Sequence, residues 1–243
     1  MPSALIVIIV SIAAFMQSLT GFGFALVVMP LLTIVLGVRI AAPLVALAGL
    51  TVYTINLIRY RQAINVGEAA RLAMASAIGV PIGVWVLSNA DEMVVNRLLG
   101  LLLIAYAAYT SYDQLAQPVV RRVLSGRWVY PAGFAAGCLG GAYNTPGPPV
   151  IVYGSLRQWP KEEFRAVLQT LFFLNATLVV VSHLLARNVT KEVLMFYLYA
   201  APALVVGILA GSRVDRKING NRFRIIVTVM ILILGLALLF GVG

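Results

Sequence analysis

Eight apolar runs divide the chain, at residues 3 to 37, 41 to 58, 69 to 87, 93 to 112, 128 to 156, 164 to 185, 193 to 212 and 223 to 242. Six are close to the roughly 20 residues that cross a bilayer as helix. The first and fifth are too long for one simple crossing, and each is interrupted near its middle by helix breakers: "TGFGF" at Thr20–Phe24 and "GGAYNTPGPP" at Gly140–Pro149. Two broken apolar segments among six regular ones constrain the fold more than any other feature. Non-helical backbone at membrane depth is tolerated only where protein buries it or where it lines a cavity.

The whole-chain balance agrees: 61% of residues are hydrophobic, 11% are charged, and mean hydropathy is +0.97. A chain of this composition is expected to be an all-α polytopic membrane protein. The formal net charge of +10 is read as loop charge facing anionic lipid and setting topology, with no nucleic-acid partner expected. Cys138 is the single cysteine, which excludes an intramolecular disulfide and a cysteine metal cluster. The first twenty residues carry no Lys or Arg, so a cleaved leader is not expected.

An internal repeat orders the segments. Residues 23–32, GFALVVMPLL, lie over 147–156, GPPVIVYGSL, at an offset that puts both breaks at the same place. The pair Gly79 and Gly83 corresponds to Gly207 and Gly211 in the third segment of each half. Duplication of this kind is common in transporters. If segments 3–37 and 128–156 are hairpins that enter the membrane and return, the loops 59–71, 113–128, 157–165 and 213–224 share one side and hold fourteen Lys and Arg. The other side holds four: Arg39, Arg97, Arg187 and Lys191. If all eight segments cross, the basic residues divide eight to ten, which the positive-inside rule disfavours. The expectation is therefore two inverted repeats, 1–120 and 121–243, each a re-entrant helical hairpin followed by three crossing helices. Both termini would lie outside, and the hairpin tips would approach near the midplane.

The acidic residues all fall in loops or at segment ends, which leaves no carboxylate at a segment centre as proton relay or cation ligand. What remains near the breaks is neutral and polar: Gln17, Ser18, Thr20, Asn144 and Thr145, with Asn56, Gln169 and Asn175 on crossing helices. Asn56 and Asn175 serve equally well as hydrogen bonds between helices, and the paired G-x-x-x-G motifs as close helix contacts. Each break leaves the N-terminus of a second half-helix, near Phe24 and near Pro148, where unpaired amides and about half a positive charge favour an anion. The candidate substrate-binding set is Gln17, Thr20, Gly21, Phe22, Gly23, Phe24, Tyr143, Asn144, Thr145, Gly147 and Asn175. No metal and no cofactor are expected. Enzyme readings lack their parts: His183 is the only histidine, no G-x-S-x-G context exists, and no paired intramembrane Asp is present. His183 serves as a capping or interfacial histidine more readily than as a proton carrier.

Together, "GFGFALVVMPLL" and "GGAYNTPGPPVIVYGSL" resemble the paired signature of the TauE/SafE family of sulfite and organosulfonate exporters. The likeness extends over nearly the whole chain, including the G-x-x-x-G helices, the basic loop 213–224 and Phe164-Arg165. The resemblance implies a secondary transporter of small sulfur-containing anions, such as sulfite, thiosulfate, sulfoacetate or taurine-derived sulfonates, in the bacterial inner membrane. A homodimer stays open, as do a passive anion channel and a noncatalytic membrane partner subunit. The chain departs from the pattern at Gly147-Pro148-Pro149, where many members carry three glycines, and at Gly154, which stands at the counterpart of Pro30.

Overall fold

The computed structural model describes residues 2–115, 124–214 and 220–240. Much of the basic loops 113–128 and 213–224 lies outside the described residues, as does the side chain of Thr20. Among the described residues the chain is all helix: α1 (Pro2–Thr20), α2 (Phe24–Leu36), α3 (Val38–Tyr60), α4 (Val66–Asn89), α5 (Glu92–Leu115), α6 (Val129–Tyr143), α7 (Gly147–Leu156), α8 (Lys161–Leu185), α9 (Lys191–Val214) and α10 (Gly220–Leu239), with single 3-10 turns at Arg61–Ala63 and Gly126–Trp128. Five of them contain stretches long and apolar enough to cross a membrane: Val38–Ala63, Val66–Asn89, Glu92–Tyr112, Glu162–Leu185 and Lys191–Arg213. In α10 the described apolar stretch is Thr228–Leu239. The protein is a polytopic all-α membrane protein.

The helices extend past the apolar runs because their ends are built from polar residues. Asn65 caps α4 by accepting from the Glu68 amide at 3.1 Å, and Glu68 and Glu92 place negative charge in the first turns of α4 and α5. Where the long segments break, the chemistry is local. Gly23 takes φ +104 before α2, a conformation that costs a residue with a Cβ about 1–2 kcal/mol. Asn144 closes α6 in the left-handed region, its amide donating to Gly140 O at 2.8 Å while the Thr145 amide reaches Leu139 O at 3.3 Å. Asparagine is the side-chain-bearing residue best suited to that corner.

Contacts between loops define two ends of the bundle. At one, the Asn65 side chain bonds to Glu163 at 2.8 Å, Arg165 to the Tyr60 hydroxyl at 3.3 Å, and the Leu124 amide to Leu156 O at 3.1 Å. At the other, the Val38 amide donates to Glu92 at 3.1 Å and Asn188 to Ser88 at 3.3 Å. The first is the Gln158 end of the bundle and the second the Gly37 end.

Glycines fix the direction of the two broken pairs. A methyl group on Gly79 would overlap the Phe134 carbonyl, and one on Gly83 would overlap that of Cys138. Numbers rise together on α4 and α6, so the two helices are parallel. Gly207 meets Ser11 and Gly211 meets Phe15 in the same way, so α9 and α1 are also parallel. It follows that α6 leaves the Gln158 end and α7 returns there, whereas α1 leaves the Gly37 end and α2 returns to it. The contacts themselves correspond: α4 on α6 matches α9 on α1, and α4 on α8 matches α9 on α3, while α3 packs on α8 and α5 on α10. Gly100 and Gly235 face each other's backbones in the last pair. With glycines at the α4/α6, α1/α9 and α5/α10 seams, backbones approach closely there, which is how helices associate where lipid removes the hydrophobic drive.

Candidate functional site

The two breaks adjoin. One cavity is lined by Phe22, Gly23, Ala25 and Leu26 from the first break, by Asn144, Thr145, Pro146, Gly147 and Ile151 from the second, and by Tyr53 of α3 and Phe172 of α8. Phe172 sits close to the middle of α8, so the cavity lies well inside the bundle.

The first tip is knitted by two glutamines. The Gln17 side chain accepts from the Phe24 amide at 2.9 Å and donates to Gly21 O at 3.3 Å, and its amide lies 3.5 Å from the Gln169 oxygen. Gln169 in turn donates to Gly21 O at 2.6 Å. Phe24 is thereby satisfied. The first bond of α2 proper is Val27 N–H to Gly23 O, at 3.2 Å. The amides of Ala25 and Leu26 therefore precede the helical ladder, and both residues line the cavity. Arg165, one turn into α8, donates to Leu19 O at 3.4 Å, placing its cation where the last carbonyls of α1 converge. Its stem lies 3.3 Å from the methyl position of Gly21, and its guanidinium 5.7 Å from the Tyr60 ring.

The second tip is anchored differently. The Asn144 side chain donates to Ala42 O of α3 at 2.8 Å, and the Tyr143 hydroxyl to Val95 O of α5 at 3.2 Å. The Thr145 hydroxyl, on a residue only 2% exposed, has no hydrogen-bond partner. In α7 the prolines at 148 and 149 carry no N–H, so its first turn offers the amides of Gly147 and Val150 alone. Aromatic rings close the space: Tyr53 and Phe172 lie 5.2 Å apart, and Phe24 packs edge-on to Tyr53 at 6.3 Å. The remaining volume is about 10 Å³, room for about one water.

Of the residues singled out from sequence, Phe22, Gly23, Asn144, Thr145 and Gly147 share the cavity. Gln17, Gly21 and Phe24 form the scaffold of the first tip, and Tyr143 that of the second. Asn175 lies apart, donating to Ser76 of α4 at 2.7 Å against Gly140 of α6. Asn56 bonds back to Val52 O of its own helix at 3.0 Å. His183 is buried, its Nδ1 3.0 Å from Asn188, three residues past the end of its helix. Tyr53 and Phe172 were not foreseen, and neither was the role of Arg165. One signal was available: Arg165, Gln169 and Phe172 fall on one face of α8 at spacings of four and three.

Glu68 lies at a segment end, in the first turn of α4, but it is buried there. It is 4% exposed, accepts from the Tyr153 hydroxyl at 3.1 Å, and lies 3.5 Å from both Arg71 and Arg157. Short helical ends at the bundle surface are roofed by neighbouring loops, which distance along the sequence does not reveal. Among the described residues no group of three or more His, Cys, Asp or Glu could hold a metal ion.

A family model described as "Sulfite exporter TauE/SafE" matches residues 6–238. No curated protein matches the chain, and no solved structure does.

Proposed function

From the premise that the chain belongs to the TauE/SafE family, and so is a membrane transporter, we propose that it carries small sulfur-containing anions, outward, through a site between the two helix breaks. The observation that carries this reading is the cavity where both tips meet, with a buried Thr145 hydroxyl lacking a partner and the Ala25 and Leu26 amides directed off the start of α2. A hydroxyl and helix-start amides stabilise an oxyanion without a cation in the membrane interior, because each helix start supplies about half a positive charge. Phe22, Tyr53 and Phe172 wall the same space and suit the organic part of a sulfonate. The acceptor oxygens that a dehydrated cation requires are scarce here, since the carbonyls of Gly21, Leu19 and Ala42 are already engaged.

The mechanism we propose is alternating access by two inverted repeats, 1–120 and 121–243. Supporting it are the parallel pairs α1/α9 and α4/α6, the two broken pairs entering from opposite ends, and the matching order of contacts. A cavity of about 10 Å³ is too small for an anion of four heavy atoms, so this conformation has no room for substrate and the halves must separate to load. The fourteen-to-four division of basic residues supports placing the Gln158 end in the cytoplasm of a bacterial inner membrane, with both termini outside.

The test is uptake of labelled sulfite and sulfoacetate into proteoliposomes, against chloride. Saturation, acceleration by unlabelled substrate on the far side, and exclusion of chloride are expected. Flux that neither saturates nor responds to trans substrate would replace the transporter with a channel, and no flux of any of the three would leave a partner subunit.

A further inference from the structure

A second cavity, of about 560 Å³, opens at the Gly37 end, where α2 finishes, α5 begins and α10 finishes. Thr33, Glu92, Asn96 and Arg97 supply its polar wall, and Ile34 and Leu238 part of its apolar one. Three observations give it a chemistry. The Thr33 hydroxyl, on a residue 4% exposed, and the Asn96 side-chain oxygen are both buried without hydrogen-bond partners. Among the described residues Arg97 forms no ion pair, although it lines the same space. Glu92 lines the cavity too, but one of its oxygens is engaged at the start of α3, where it accepts from the Val38 amide and its charge is partly offset by that helix terminus.

We propose that this cavity is a second oxyanion site, separate from the one between the breaks, that takes a monoanionic organic group of the type R–SO3⁻ or a phosphodiester. Arg97 offers the forked guanidinium that matches such a group. The Thr33 hydroxyl donates to it, and the Asn96 carboxamide, turned by 180°, presents N–H in place of its orphaned oxygen. Glu92 on the same wall raises the cost of a second negative charge, which disfavours sulfate and other dianions. Ile34 and Leu238 receive the organic substituent. A free sulfonate and the head of a phospholipid share this chemistry.

The experiment is calorimetric titration of the purified protein with ethanesulfonate, with short-chain phosphatidylglycerol and with sulfate. It is repeated on Arg97→Gln, Arg97→Lys, Thr33→Val and, for the other site, Thr145→Val. Arg97→Gln is expected to weaken at least one organic probe roughly tenfold or more, the loss of a charge-assisted hydrogen bond. Arg97→Lys should restore part of it, and sulfate should bind more weakly than either. A response to ethanesulfonate alone identifies a free solute, and a response to the lipid alone identifies a headgroup. Thr145→Val should leave the part of the binding that Arg97→Gln removes intact, so failure of the site between the breaks is read separately. Should Arg97→Gln not fold, Thr33→Val decides, because it keeps shape and removes only the hydroxyl. Unchanged affinity for both organic probes in folded Arg97→Gln, or in Thr33→Val where it alone folds, overturns the proposal.

Discussion

Gln17 and Gln169, from helices far apart in sequence, donate to the same carbonyl: the oxygen of Gly21 receives their amides at 3.3 and 2.6 Å. Gln17 spends its own oxygen on the Phe24 amide. One glutamine thus fastens both sides of the first break, and the second ties that break to α8. Replacing Gln17 by Leu leaves a buried donor and weakens the hold on the carbonyl, each at a cost of about 1–3 kcal/mol. The expected result is a lower melting temperature together with loss of transport. Gln17→Glu keeps the acceptor for Phe24 but sets a carboxylate beside an anion path, so transport should fall even where the fold survives. Thermal melts in detergent alongside liposome flux separate the two effects.

Thr145 makes the opposite prediction. Its hydroxyl is buried and unpartnered, so Thr145→Val removes a desolvated polar group and should melt no lower than the wild type, unlike most core substitutions. Differential scanning in detergent checks this, and a drop comparable to that of Gln17→Leu would mean that the hydroxyl has a structural partner.

Gly23 and Gly141 fail for different reasons when changed to Ala. At Gly23 there is open space but φ is +104, so the cost is conformational, about 1–2 kcal/mol, and confined to the tip. At Gly141 the new methyl would overlap the Val80 carbonyl of α4. The α4–α6 seam would then have to part, and the loss should exceed that at Gly23. Melting temperatures of the two variants should rank accordingly.

The breaks and the crossing helices were legible because glycine, proline and asparagine act through their own backbones, and apolar runs report on lipid directly. The rest of the site depends on what stands opposite. Tyr53 and Phe172 read as ordinary apolar membrane residues until α3 and α8 bring them against the tips. Asn175 reads as a site residue until Gly140 and Ser76 are seen beside it. The direction of a glutamine side chain is equally hidden: Gln17 faces the backbone it fastens, while Thr145, equally polar, is left facing the cavity. Glu68 shows the same limit at a helix end, where burial comes from Tyr153 and Arg157 on another segment.

That cluster carries its own prediction. Glu68→Gln leaves the partly buried Arg157 facing a neutral amide, and removal of one partner from a largely buried pair costs about 3–5 kcal/mol in the interior, less here because Arg71 is substantially exposed. The double variant Glu68→Gln with Arg157→Met should recover part of the lost stability. A double-mutant cycle by thermal or denaturant melts measures the coupling, and simple additivity would show that the pair contributes nothing.

The two ends of the bundle can be assigned by labelling. With Cys138 changed to Ala, a cysteine at Gln158 and one at Asn188 should react with an impermeant maleimide from opposite faces of the membrane, Asn188 from outside. Labelling of both from one face would break the arrangement of the two hairpins.

The central claim is that the anion is held between the breaks, and saturable sulfite flux by Thr145→Val against Thr145→Ser in proteoliposomes tests it most directly. The serine variant should transport close to the wild type, and the valine variant should show a KM raised roughly tenfold, the loss of one hydrogen bond to a charged group. Equal kinetics for valine, serine and wild type would contradict it.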